Sequence, residues 1–135
     1  MPSDNSSNEH TGGCYCGDIR YTVTGNLEDF VVCHCSQCRK QSGHLYASTI
    51  VTRDRVTIVG EHKLTWFCAS ETAQRAFCTC CGSHLFWLGE DGSLAILAAS
   101  LDHPTGLSIR EHIFVADKGD YYEIEDGAPQ HDAYP

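Results

Sequence analysis

The chain has 135 residues, 18 acidic and 9 basic, with a formal net charge of −9. That length suits one domain, which buries roughly two thirds of the surface its unfolded chain exposes. The acidic balance argues against a phosphate-binding surface, which needs clustered Lys and Arg, and so against nucleic acid as a partner.

Nine cysteines are more than such a core needs, and an odd number cannot pair completely. The opening stretch MPSDNSSNEHTGG lacks the apolar segment of a secretory signal. No apolar run is long enough to cross a bilayer. The expectation is a cytoplasmic protein with no membrane partner, whose thiols stay reduced. Clustered cysteines in that setting point to metal or catalysis.

Residues 1–10 are polar and aperiodic and read as a disordered tail. The domain is expected over residues 11–130, with 131–135 as a C-terminal tail and irregular chain already from Gly127. Between the tails the pattern is short strands and turns. DIRYTVTG puts Ile19, Tyr21 and Val23 on one face, GNLED turns the chain, and FVVCHC reads as the next strand. SQCRKQS is the one helical turn expected, with Ser36 as its N-cap. LYASTIV and VTIVG flank TRDR, and KLTWFC and RAFC flank ASETAQ. HLFWLG meets SLAILAASL across EDG, a hairpin signal. IREHIFVAD and YYEIED close the domain. The pattern predicts a mainly β fold, a small single domain of antiparallel strands stapled by metal.

The cysteines fall into groups. On a strand, residues i and i+2 face the same way, so Cys33 and Cys35 point together and His34 points opposite. Cys38 returns to them if the chain curls after Ser36, giving three sulfurs on one centre. A helix start there would help keep the thiolates ionised. Three protein ligands on a tetrahedral zinc leave one open position, the mark of a catalytic site. Cys14 and Cys16 again offer two sulfurs on one side, and Cys78 and Cys81 form a C-x-x-C-G knuckle whose Gly82 suits a tight turn. Two plus two makes a closed, structural four-sulfur site. Cys68 reads as a small buried hydrophobe and Cys80 as a bystander inside the knuckle.

Other arrangements of the same thiols are open at this level. A four-thiolate iron–sulfur cluster is one, although ferredoxin spacings are absent. A disulfide framework suits secreted proteins. A single zinc with spare cysteines is the third.

GGCYCGDIRYTV, CHCSQCRKQSG, RAFCTCCGSHLFW, LAASLDHP, HIFVADKGDYYEI and DGAPQ together resemble the glutathione-dependent formaldehyde-activating family, also called the centromere protein V family. The resemblance spans roughly residues 11–130. It implies coiled β-sheets around two zinc ions per chain: a structural one at Cys14, Cys16, Cys78 and Cys81, and a catalytic one at Cys33, Cys35 and Cys38. It implies a carbon–sulfur lyase-type enzyme whose substrates are a small thiol such as glutathione and a small aldehyde, formaldehyde, joined as S-hydroxymethylglutathione. Cys68, Cys80 and His44 depart from the family pattern.

Three thiolates on a zinc leave a net charge of about −1, which weakens it as a Lewis acid. Delivery of a thiol as its thiolate is therefore the favoured role. His44 is a candidate proton shuttle near neutral pH. Arg39 and Lys40 are candidates for substrate carboxylates, against the plainer reading of a solvated pair. Gln41 and Ser42 are spare hydrogen-bond donors. Trp66, Phe67, Phe86 and Trp87 read as core, and Asp102 and His103 as a turn. Two further functions stay in view: a protein that binds or carries a small thiol without turnover, and a zinc-ribbon-like interaction module.

Overall fold

Ile19, Tyr21 and Val23 are all buried while Arg20 and Thr24 are exposed, so this segment forms a strand with one face inward. The same rule builds most of the molecule. The computed structural model describes residues 8–135. In chain order it holds β1 (Glu9–Gly13), β2 (Arg20–Thr24), β3 (Phe30–Cys33), the helix α1 (Ser36–Ser42), β4 (Tyr46–Thr52) and β5 (Val56–Val59). There follow β6 (Leu64–Cys68), β7 (Ala73–Cys78), β8 (His84–Gly89), β9 (Ser93–Leu97) and β10 (Ile109–Ile113).

Two sheets result. The smaller has the order β1-β2-β5, and the larger has the order β10-β3-β4-β9-β8-β7-β6. Every neighbouring pair is antiparallel except β10 and β3, which run parallel. The small sheet packs on one face of the large one. Tyr21, Val23 and Val56 from the first meet Leu64, Ala76, Phe86, Leu94 and Ile96 from the second in a single apolar core. Trp66 stacks on Phe86 there, with ring centroids 6.4 Å apart. Leu97 follows Ile96 on β9 and so points to the other face, where it meets Cys38 of α1 and Tyr46 of β4. The helix therefore covers the second face of the large sheet.

Four sequence expectations change. β1 begins at Glu9, because residues 9–13 pair with 20–24 in full register, so Glu9 and His10 belong to the sheet rather than to a tail. Of the rest of the expected tail, Asn8 O accepts from Gly25 N at 3.0 Å, and residues 1–7 lie outside the described residues. YYEIED forms no strand. Its aromatic residues are used instead to hold side chains near α1, as described below. At the C-terminus, His112 donates its backbone N–H to Pro129 O at 2.9 Å, and His131 donates to His112 O at 2.9 Å. Residues 129–131 thus run hydrogen-bonded along β10, and His131 sits within that line rather than in a loose tail. Finally, the cap of α1 is Cys35, whose sulfur accepts from Cys38 N at 3.3 Å, and Ser36 is already helical.

No helix among the described residues is long and apolar enough to cross a membrane.

The turn after β5 depends on Gly60. Its φ is +84°, and a Cβ there would lie 2.1 Å from the carbonyl oxygen of Asp18. Gly60→Ala is expected to lower stability by about 2 kcal/mol or more, through left-handed backbone and contact with a backbone atom that cannot swing away. Equilibrium denaturation measures it; a variant as stable as the parent would show that the turn relaxes freely.

Candidate metal centres

The first centre joins the chain's N-terminal hairpin to its middle. Cys14 follows β1, and the turn closes through Gly17 N to Cys14 O at 3.2 Å and Cys14 N to Ile19 O at 3.1 Å. Ile19 N also donates to Cys14 Sγ at 3.3 Å. Opposite, Cys78 ends β7, and Gly82, with φ +79°, returns its N–H to Cys78 O at 2.8 Å. That is the knuckle the C-x-x-C-G spacing predicts. The sulfurs of Cys14, Cys16, Cys78 and Cys81 all lie within 4.8 Å of one another. Cys16 Sγ is 3.6 Å from Cys14 Sγ and 3.8 Å from Cys78 Sγ. Metal–sulfur bonds of about 2.3 Å in a tetrahedron require sulfur–sulfur edges of about 3.8 Å, so the four donors fit a zinc ion. Ser83 Oγ lies 3.2 Å from Cys81 Sγ. The Ser83 hydroxyl and backbone hydrogen bonds lower the Cys81 thiol to about 5.

The second centre lies on the other face of the large sheet. Cys33 is the last residue of β3, Cys35 caps α1, and Cys38 is buried one turn into it. Their sulfurs also lie within 4.8 Å of one another, and no fourth His, Cys, Asp or Glu of the described residues joins them. Cys38 is lowered to about 6, first by its hydrogen bond with Cys33, against the effect of burial, and next by the charge of Arg75. Cys33 is raised, first by Cys38 and then by burial. Three clustered thiols with one ready to ionise are a donor set for a zinc ion with one position left open.

His34 points away from the sulfurs, as alternation requires, and is fully buried. Its Nδ1 lies 2.6 Å from the Tyr122 hydroxyl and its Nε2 lies 2.8 Å from His112 Nδ1. His112 Nε2 in turn lies 2.8 Å from an Asp126 carboxylate oxygen. One tautomer set satisfies every atom: Tyr122 O–H donates to His34, His34 Nε2–H to His112, and His112 Nε2–H to Asp126. Burial first, then His112, lowers His34 to about 4, so its ring is neutral at physiological pH. This chain pins the backbone between Cys33 and Cys35.

Arg75 lies on the sulfur side of the same centre. It is 5% exposed, and its Nη2 donates to Cys38 Sγ at 3.4 Å. Its Nη1 donates to Gln41 Oε1 at 3.1 Å, and its Cζ lies 4.7 Å from the Tyr46 ring centroid. Neither Arg75 nor Tyr46 stood out in the sequence, although RAFC carried a signal. On a strand, Arg75 and Phe77 share the face opposite Ala76, so a charge there faces whatever covers the sheet.

The remaining candidates separate. His44 is exposed just past α1, its carbonyl accepts from Tyr121 O–H at 3.0 Å, and its ring lies edge-on to Tyr122 at 5.0 Å. No hydrogen bond joins that ring to the sulfurs among the described residues. Arg39 is spent on carbonyls: its Nε donates to Asp117 O at 3.0 Å and to His34 O at 3.3 Å. Lys40 is exposed. Asp102 pairs with Arg20 and accepts from Thr11 O–H at 2.6 Å. Cys80 is exposed and outside the four-sulfur group. Cys68 is exposed too, which corrects its reading as a buried hydrophobe. It is the last residue of β6, paired with Gln74 of β7, and borders a shallow pocket together with Thr72 and Leu88.

A cavity of about 530 Å³ runs between the knuckle and the end of α1. Gln41, Ser42, Leu97, Gly82, Ser83 and His84 are among its walls. Leu97 and Gln41 connect it to Cys38 and Arg75.

Residues 9–117, a span that holds both cysteine groups, match the family model described as glutathione-dependent formaldehyde-activating enzyme. The chain belongs to this family. A relative from Penicillium rubens, provisionally named a glutathione-dependent formaldehyde-activating enzyme, is 38% identical over 77 residues, which cover 54% of this chain and 40% of its own. One from Podospora anserina with the same provisional name is 32% identical over 89 residues, covering 63% of this chain and 42% of its own. The chain thus spans about two fifths of the length of the curated relatives it matches. A crystal structure of a Rhodobacter sphaeroides protein shares the fold, with a TM-score of 0.57 at 20% identity over 89% of this chain and 98% of the other.

With metal bound, Cys68 and Cys80 are expected to react first with a thiol-specific disulfide reagent, and chelation should then release the other seven of the nine thiols. Cys80→Ala and Cys68→Ala should each keep full metal content and near-parental stability. Loss of metal from either variant would overturn the grouping.

Proposed function

We propose that this chain is a zinc-dependent enzyme that joins a small thiol to a small aldehyde, or cleaves the adduct. Glutathione and formaldehyde are the first pair, and S-hydroxymethylglutathione their product, which is carbon–sulfur lyase-type chemistry. The observation that carries this reading is the difference in donor number between the two centres. Four cysteines form one group and three form the other, and Leu97, which packs on Cys38 of the second, is one wall of the cavity. We assign a structural zinc to Cys14, Cys16, Cys78 and Cys81, and a catalytic zinc to Cys33, Cys35 and Cys38, two ions per chain. The second zinc would supply a free coordination position, at which an incoming thiol is kept as its nucleophilic thiolate.

The reaction forms one sulfur–carbon bond, turns the carbonyl into a hydroxyl, and moves the thiol proton to that oxygen. No oxidant or reductant is consumed. His44, exposed at the end of α1, is the group assigned to deliver the proton. Gln41, Ser42 and Ser83 line the cavity with an amide and two hydroxyls, suited to the amide and carboxylate groups of a glutathione-like thiol. Nine unpaired thiols also suit a reducing compartment, and we assign the protein to the cytoplasm.

Elemental analysis is expected to give two zinc ions per chain. Cys14→Ser or Cys81→Ser should lose the structural ion and much of the fold, because such binding is coupled to folding. Cys38→Ser should fold, keep one zinc, and react thiol with aldehyde no faster than the uncatalysed mixture, whose rate must be subtracted. Thermal melts on the same samples separate the two classes of variant. A Cys38→Ser protein that retains the parental rate would sink the reading; a wild type that binds thiol but never exceeds the background rate would leave a thiol-binding protein instead.

A further inference from the structure

Arg75 is a buried cation without a carboxylate. The ion pairs among the described residues use Arg20, Arg53, Lys63, Arg110, His112 and His131, and none uses Arg75. A lone buried guanidinium is tolerated only where an anion or good acceptors face it. Around Arg75 the acceptors are Gln41 Oε1 at 3.1 Å and Cys38 Sγ at 3.4 Å, with the Tyr46 ring face at 4.7 Å. Gln41 and the Tyr46 ring carry no charge. Burial first, then Arg75, lowers His84, which stays neutral. The Cys38 sulfur is the one contact that can become an anion. Nε of Arg75 is buried with no hydrogen-bond partner among the described residues.

We propose that Arg75 is a positioning residue for the three-cysteine centre: its guanidinium cancels the negative charge that three thiolates leave on a bound dication, and lets that centre accept a thiol as its anion. The inference rests on the reading that Cys33, Cys35 and Cys38 hold a metal with one free position. Three thiolates and a dication carry one net negative charge, which repels an anionic fourth ligand in a chain already at −9. One guanidinium brings the ensemble to neutrality. Its N–H bond to Cys38 also draws electron density from that sulfur, so the metal binds a fourth ligand more strongly. The ligand class selected is a small thiol bound without its proton, which passes to the buffer. A neutral nitrogen ligand gains much less from the positive charge.

The test uses the full chain loaded with cobalt(II) in place of zinc, titrated with 2-mercaptoethanol and separately with imidazole, and read by cobalt absorption. Arg75→Met is expected to weaken the thiol response roughly 10- to 100-fold while imidazole binding changes little. Arg75→Lys should recover most of the thiol affinity, since it restores the charge. Gln41→Glu leaves β7 untouched and gives Arg75 a competing carboxylate. It should weaken thiol binding selectively in the same direction, and it decides the matter if Arg75→Met fails to fold. Equal weakening of thiol and imidazole would reduce Arg75 to a packing role and overturn the proposal. So would unchanged thiol binding in Arg75→Met or, where that variant does not fold, in Gln41→Glu. A wild-type protein that responds to imidazole but to no thiol overturns the underlying reading of a thiol-binding site, a result distinct from any variant-specific outcome.

Discussion

Thiolates gathered a few ångströms apart repel one another, by about 4 kcal/mol for two unit charges about 4 Å apart at an effective dielectric constant near 20. Two groups of such sulfurs, each within 4.8 Å, are built into this small fold. A bound cation would make that arrangement favourable when the thiols ionise. The first group draws its pairs from positions more than sixty residues apart, Cys14 with Cys16 and Cys78 with Cys81. Closing that loop is an entropic cost that short strands and a modest core meet poorly. A metal held by all four sulfurs, as proposed above, would offset it at the point where the small sheet meets the large one.

The large sheet keeps the two centres apart. Cys14 and Cys78 belong to the core between the sheets, together with Ile96. Leu97, the next residue, belongs to the cluster under α1 with Cys38. One strand therefore presents its alternate side chains to the core that holds Cys14 and Cys78 on one face and to the cluster that holds Cys38 on the other. The cavity runs round the edge between them, bounded by Gly82 and Ser83 of the knuckle and Gln41 and Ser42 of the helix. The loop that carries Cys81 is thus one wall of a cavity whose other walls include the end of the helix that carries Cys38.

Much of this was legible in the sequence for a simple reason: alternation and close spacing are local. Ile19, Tyr21 and Val23 revealed a strand, and Cys33, Cys35 and Cys38 revealed a shared centre, because each set lies within a few residues. The C-x-x-C-G spacing identified Cys78 and Cys81 over the intervening Cys80 in the same way. What failed was non-local or depended on competition. Ser36 is an ordinary capping residue, but the sulfur of Cys35 sits one position earlier and takes the Cys38 N–H itself. Cys68 ends its strand, and whether a terminal residue is covered depends on neighbours elsewhere in the chain. YYEIED has the composition of a strand, yet Tyr122 serves His34 from 88 residues away. Arg75 and Tyr46 meet Cys38 only because β7, β4 and α1 share one face.

The open centre is consequently held from two sides by unlike means. Behind it, His34, His112, Tyr122 and Asp126 form a line of short hydrogen bonds that leaves the His34 ring no spare polar atom and fixes the backbone between two of the cysteines. Beside it, Arg75 contributes charge and leaves one N–H unused. A satisfied network stiffens without changing the net charge at the sulfurs. A lone cation changes that charge and contributes few hydrogen bonds. On the proposed reading the division matters, because the centre would have to keep three sulfurs in register and also admit an anionic fourth partner. Repulsion among the thiolates opposes the first task and their summed charge opposes the second. Rigid neutral support answers one, and a buried positive charge answers the other.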